Sequence, residues 1–145
     1  MIYGEKEINI NGDILMLRER SCQDVLDTDE YFTNTEFEEN DAQVFMKKHL
    51  VMINQALKNN WDKPKWYQFG KKALAEKYSI VNMTDLIPPS QLWEIAIDLY
   101  DLENLDNTFI KIMAGKISKE EVEKYYETAK KKRDETQTIN NSPEK

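Results

Sequence analysis

Glycine, cysteine and histidine are all scarce in this chain, and each scarcity closes off a route to chemistry. The four glycines, Gly4, Gly12, Gly70 and Gly115, stand far apart. A phosphate-cradling loop needs several of them clustered at the mouth of a helix, so that bare backbone N–H groups can approach the anion. Nucleotide binding of the common kinds is therefore not expected. The single cysteine, Cys22, cannot form an internal disulfide, so no feature asks for an oxidising compartment. It leads into a run of acids, the wrong surroundings for an activated thiol, and an inert, semi-buried thiol is expected. The single histidine, His49, would have to carry any metal site or any Ser/His or Cys/His pair.

Long apolar runs are missing as well. No stretch approaches the roughly 18 residues of a membrane span, and residues 1–5 lack a basic segment followed by an apolar one. A cytoplasmic protein with no membrane partner is expected. Positive charge is also short: 20 Lys and Arg stand against 27 Asp and Glu, a net charge of −7. That balance argues against bulk attraction to nucleic acid or to an anionic leaflet.

The charge is unevenly spread. Residues 21–46 hold Asp24, Asp27, Asp29, Glu30, Glu36, Glu38, Glu39 and Asp41 with no Lys or Arg, whereas residues 47–80 hold eight lysines against Asp62 and Glu76. Two binding faces could produce this pattern. Two adjacent helices that screen one another are the favoured reading, because surface charge runs are usually solvated.

What is present is mostly helical periodicity behind one hairpin. Asn11-Gly12, flanked by short strand-like runs over 5–19, is the dipeptide of a type I′ turn. It pairs Ile10 with Asp13, Ile8 with Leu15 and Lys6 with Leu17, so Ile8, Ile10, Leu15 and Leu17 share a face while Ile14 and Met16 point the other way. Ser21 and Asp24 open a short helix ending near Glu30. A long helix from about Glu38 to Asn59 gathers Ala42, Phe45, Met46, His49, Leu50, Met52, Ile53, Ala56 and Leu57 on one arc, with Val44 and Val51 opposite. His49 at the centre of that arc reads as a hydrogen-bonded core histidine.

Asp62 and Pro64 suit the start of a helix to Tyr78 that buries Trp66, Tyr67, Phe69, Ala73 and Leu74 and leaves Trp61 outside. The stretch Trp61 to Lys72 has the mixed basic and aromatic composition of a single-strand stacking site. Helical geometry opposes that reading, since it sends the aromatics to the core and the lysines to solvent. Gln91 to Glu103 is apolar nearly all round and should be the most enclosed helix. A helix from Asp106 to Ala114 stops at Gly115, and Ser118-Lys-Glu-Glu121 boxes the start of a last helix with the stripe Val122, Tyr125, Tyr126 and Ala129.

The carboxylate groups Glu94/Asp98 and Asp101/Glu103/Asp106 could in principle hold a hard cation. The second set lacks the glycine and the twelfth-position Glu of an EF-hand loop, and the first is an ordinary solvated helix edge. No metal and no cofactor are expected.

The order hairpin Glu-Ile-Asn-Ile-Asn-Gly-Asp-Ile-Leu-Met-Leu-Arg-Glu, then Ser21-Cys-Gln-Asp24-Val-Leu, then helices and a polar tail, resembles the small tail assembly chaperones of tailed bacteriophages. The likeness covers about residues 7–27. It implies a non-catalytic assembly factor that coats the tape-measure protein and leaves before the particle is finished.

Together these readings describe a mainly α protein: one domain over 1–134 with the hairpin at 5–19, about five to six helices, and a disordered tail over 135–145. It is expected to be no enzyme but a binder of protein, with a tape-measure protein as candidate partner and a homo-oligomer possible. Its contact residues would be Ile14, Met16, Glu36, Glu38, Glu39, Val44, Val51 and Trp61. The alternatives are an acidic inhibitor or DNA mimic built on Glu36, Glu38 and Glu39, and a small metal-dependent enzyme built on His49.

Overall fold

The computed structural model describes residues 3–63 and 65–140, with side chains described for all of these except 119, 125 and 134–140. The chain divides into two compact units, residues 1–107 and 108–145. Each is taken by itself.

The first unit starts with strands β1 (Glu5–Ile10) and β2 (Asp13–Arg18), paired antiparallel in the register Ile10 to Asp13, Ile8 to Leu15 and Lys6 to Leu17. Asn11 and Gly12 both have positive φ, 50° and 96°, as a type I′ turn requires. Asn9 Oδ1 accepts from Gly12 N at 2.8 Å and locks the turn. Ile8, Ile10, Leu15 and Leu17 are buried, and Ile14 points out with 58% of its surface exposed.

Helix α1 (Cys22–Asn34) is capped by Ser21, whose Oγ accepts from Asp24 N at 3.1 Å, and Cys22 in its first turn is exposed rather than semi-buried. It runs past the expected end at Glu30 because Tyr31 and Phe32 have something to pack on. Phe37 returns over them, stacked on Phe32 at 5.4 Å and edge-on to Tyr31 at 6.0 Å. Helix α2 (Asp41–Leu57) starts later than the expected Glu38, since Asn40 and Gln43 form a reciprocal capping box. Its buried stripe is His49, Leu50, Met52, Ile53, Ala56 and Leu57, with Phe45 and Met46 half-buried; Ala42, expected on the arc, is exposed. A 3-10 turn, Lys58–Asn60, follows. The Asn60 side chain accepts from Met16 N and donates to Met16 O, both at 2.9 Å, so it occupies the outer edge of β2 as a strand would.

The largest departure lies between residues 61 and 78. Trp61, expected outside, is buried and stacks on buried Tyr78 with centroids 5.8 Å apart and planes 4° from parallel. A continuous helix over 62–78 would hold those rings apart by roughly 25 Å at 1.5 Å per residue, so the stack and the helix exclude one another. The chain instead turns through Lys63 at φ 50°, and α3 spans only Phe69–Lys77. Trp66, Tyr67 and Phe69, expected in the core, are consequently exposed to 79%, 54% and 70%. The expected role of Pro64 falls outside the described residues.

Helix α4 (Ile80–Leu86) is a short element that the hydrophobic spacing does not separate. Helix α5 (Pro89–Leu102) has Pro89 in its first turn and buries Leu92, Trp93, Ile95, Ala96, Ile97 and Leu99, as its all-round apolar pattern predicts. In the second unit, α6 (Thr108–Met113) is followed by Gly115 at φ 69°, and Ser118 Oγ accepts from Glu121 N at the start of α7 (Lys119–Asn140). Val122 and Ala129 are half-buried and Tyr126 is exposed, while the Tyr125 side chain lies outside the described set. Helix α7 overlaps the first residues expected as tail, and 141–145 are not among the described residues.

One polar network crosses the core of the first unit. Arg20 grips Glu103 through Nε at 3.0 Å and Nη2 at 2.9 Å, and the Arg20 backbone N–H donates to the same carboxylate at 2.8 Å. Both side chains are almost fully buried, 2% and 7% exposed. Arg20 Nη1 also donates to Gln55 Oε1 at 3.3 Å, which accepts from Thr28 Oγ1 at 2.9 Å. The end of the hairpin, α1, α2 and the end of α5 are thereby joined. Glu103, read from spacing as a possible cation ligand, is the anion of a buried bidentate pair.

Removing one partner of such a pair strands the other charge in the interior, which costs about 3–5 kcal/mol. Urea unfolding of Glu103→Gln and Arg20→Met should show losses of that order, and the double variant Arg20→Met/Glu103→Leu should recover much of them. A loss under about 1 kcal/mol in both single variants, the size of a surface pair, would show that the pair is not structural.

Candidate functional site

Helices α1 and α4 each pack on α2, and a groove of about 510 Å³ opens over α2 between them. Helical spacing explains its floor: Lys47, Val51 and Gln55, four residues apart, follow one another along the side of α2 away from its buried stripe, with Leu50 at the stripe's edge. Tyr31 and Phe32 come from α1, Phe37 from the connecting loop and Ile80 from α4. Tyr31 and Ile80 keep 56% and 43% of their surface exposed, so the groove holds two apolar side chains that its own fold has not covered. A smaller hollow of about 210 Å³ beside it is lined by Val44, Phe45 and again Phe32.

The expected contact residues separate into those this region gathers and those it does not. Val51 lines the groove and Val44 the neighbouring hollow. Glu36 and Glu38 are exposed on the loop, on either side of Phe37. Glu39 is ion-paired with Lys47, which holds its carboxyl below the usual carboxylate range. Ile14 is exposed on the hairpin, and Met16 is half-buried there with its backbone engaged by Asn60; neither lines the groove. Trp61 is a core residue, which corrects its expected exposure.

Tyr31, Phe32, Phe37 and Ile80 were not among the expected contacts. The available signal was Phe37, a lone apolar residue between Glu36 and Glu38 only five positions beyond two aromatics.

The acid-only stretch is partly neutralised by the lysine-rich one that follows it. Lys47 pairs with Glu39, Lys48 with Asp29 at 3.2 Å and Lys58 with Asp24 at 2.8 Å. A carboxylate track imitating phosphates is interrupted at three of its eight acids. The helix-edge acids are also engaged, Asp98 by Lys6 at 2.7 Å and Asp101 by Asn107. Among the described residues no group of three or more His, Cys, Asp or Glu could hold a metal.

His49 is buried with both ring nitrogens occupied. Nδ1 lies 2.8 Å from the Phe45 carbonyl and Nε2 2.8 Å from the Tyr100 hydroxyl. A carbonyl can only accept, so Nδ1 carries the proton and the Tyr100 O–H donates to Nε2. Phe45, Trp93 and Tyr100 surround the ring. Burial drives its pKa down to about 4, and this neutral, doubly bonded imidazole is a structural strut between α2 and α5. Comparison with protein-family models, curated proteins and solved structures finds no match to this chain.

The His49 shift has a definite sign. Above pH 6.5 both folded and unfolded chains hold it neutral; as pH falls from 6.5 towards 4 only the unfolded chain gains the proton, and stability falls by up to about 3 kcal/mol. Urea midpoints at pH 7 and pH 4.5 should therefore diverge by about 2 kcal/mol more in the wild type than in His49→Gln. Equal divergence in the two proteins would show that His49 is not held neutral by its site.

Proposed function

We propose that the chain is a non-catalytic protein-binding factor whose groove over α2 receives the apolar face of a partner helix. The observation that carries this reading is the incomplete covering of Tyr31 and Ile80 in a trough already lined by Phe32, Phe37 and Val51. A helix laid in such a trough buries its i, i+3, i+4 and i+7 side chains, the usual helix-in-groove mode. The rim selects the partner by charge. Asp27, Glu36 and Glu38 are exposed near the groove or on the loop that carries Phe37, so a helix with lysines or arginines flanking its apolar stripe is preferred. Association through one such trough suits an assembly factor that must later let go.

The resemblance to phage tail assembly chaperones names a fitting occupant, the long apolar-faced helices of a tape-measure protein. In this reading the factor covers those helices before the tail polymerises. The engagement of His49 by Phe45 and Tyr100, and of Glu103 by Arg20, supports a scaffold role for the residues that an enzyme would have used. The ion pairs through Lys47, Lys48 and Lys58 weigh against the DNA-mimic alternative.

Co-expression with the tape-measure protein of the tail gene cluster that encodes the chain should keep that protein soluble and in complex. Ile80→Asp and Tyr31→Ala should each weaken the complex about tenfold or more, as central apolar contacts do, and Ile14→Asp should leave it intact. A gene with no tail cluster around it, or a complex lost with Ile14→Asp and kept with Ile80→Asp, would overturn the proposal.

A further inference from the structure

The four lysines that remain in the first unit once its ion pairs are assigned all fall in one short stretch. Lys6, Arg18, Arg20, Lys47, Lys48, Lys58 and Lys77 each pair with a carboxylate. Lys63, Lys65, Lys71 and Lys72 form no ion pair among the described residues of that unit. The same stretch carries Trp66, Tyr67 and Phe69, exposed to 79%, 54% and 70%. Cations without an ion pair and uncovered rings therefore coincide, in a unit that elsewhere pairs its lysines with carboxylates.

The geometry of the stretch suits a ligand that offers flat rings and negative charge together. Lys65 Nζ sits 5.9 Å from the Tyr67 ring centroid and Lys72 Nζ 5.9 Å from that of Phe69. The turn that displays Trp66 and Tyr67 is held at both ends: Gln68 N donates to Lys65 O at 2.8 Å, and Lys65 N donates to Gln68 Oε1 at 2.9 Å. Trp66 and Tyr67 meet edge to face at 5.7 Å with their planes 88° apart. Apart from its chain neighbours and the backbone of its own helix, no atom of the described residues comes within 4 Å of the position a Cβ would take on Gly70, so the backbone there is open to close approach. Composition suggests a stacking site, and two features oppose it, the net charge of −7 and a continuous helix that would bury the aromatics; the Trp61–Tyr78 stack removes that helix, and the lysines make this stretch locally basic.

We propose that Lys63 and residues 65–72 form a binding site for single-stranded nucleic acid, with Trp66, Tyr67 and Phe69 stacking bases and the four lysines neutralising phosphates. Stacking plus backbone neutralisation needs no sequence readout, so the site is sequence-tolerant. The acidic remainder of the chain confines the strand to this stretch and keeps its affinity modest. The site is separate from the groove over α2 and does not depend on the proposal made for it.

The test is fluorescence anisotropy of a labelled thymidine oligonucleotide titrated with the full chain from low to physiological salt. Binding should weaken with added salt with a logarithmic slope no steeper than about −3, for at most four phosphate contacts at about −0.7 each. Trp66→Ala should weaken it about tenfold or more, the worth of one stacked base, and Trp66→Phe should restore part of that. Lys65→Glu/Lys72→Glu should abolish it, while Lys130→Ala/Lys131→Ala on α7 should leave it unchanged. All these positions are exposed, and far-UV circular dichroism checks that the variants stay folded. Four results would each overturn the proposal: no binding at low salt, equal binding to a duplex of the same length, indifference to Trp66→Ala, or attachment to phosphatidylserine vesicles without attachment to the oligonucleotide.

Discussion

The buried pair between Arg20 and Glu103 sets the frame on which the first unit is built. A guanidinium and a carboxylate can leave water together only when nearly every donor and acceptor is matched, and here the match draws on three further groups: the Arg20 backbone N–H, Gln55 and, through Gln55, Thr28. Ser21, the cap of α1, is the next residue in the chain, so fixing Arg20 fixes where α1 begins. Thr28, about two turns further along α1, is tied to Gln55 of α2. Because Gln55 also lines the groove, the polar network that holds the core together determines how α1 lies against α2, and hence the width of the trough between α1 and α4.

A second layer of order comes from charge. Three of the acids of residues 21–46 are met by lysines of α2 and its following turn, and the hairpin is tied down by Lys6 to Asp98 and by Asp13, which accepts from Lys77 at 2.5 Å and from the Tyr78 hydroxyl at 2.6 Å. Exposed pairs of this kind contribute little stability one by one. Their consequence is to leave two surfaces distinct from the rest, an apolar trough near exposed acids and a basic aromatic turn. Each of those surfaces holds side chains that the fold leaves over, uncovered apolar ones in the trough and, among the described residues, cations without an ion pair in the turn.

Much of the architecture was legible along the chain because it depends on neighbours in sequence. Asn11-Gly12 dictates a turn with two positive φ values, and the turn dictates the register that buries Ile8, Ile10, Leu15 and Leu17. The α2 stripe and the all-round apolar α5 follow from 3.6-residue periodicity, and the place of His49 follows from that stripe. The candidate site was legible only in part. Val51 was singled out by its spacing opposite the core face, but Tyr31, Phe32, Phe37 and Ile80 converge from three segments whose meeting has no local signature.

What the sequence by itself determined, then, is the hairpin, its register and the apolar faces of the long helices, since each rests on contacts a few residues apart. Tertiary structure alone decided the fate of residues 61–78. Periodicity there supports a helix, yet the Trp61 and Tyr78 rings bury more by stacking on each other than they would at opposite ends of one. It likewise decided that Glu103 is a structural anion, for its partner Arg20 lies 83 positions away. Pairings at that range depend on how the elements are brought together, and no local pattern encodes them.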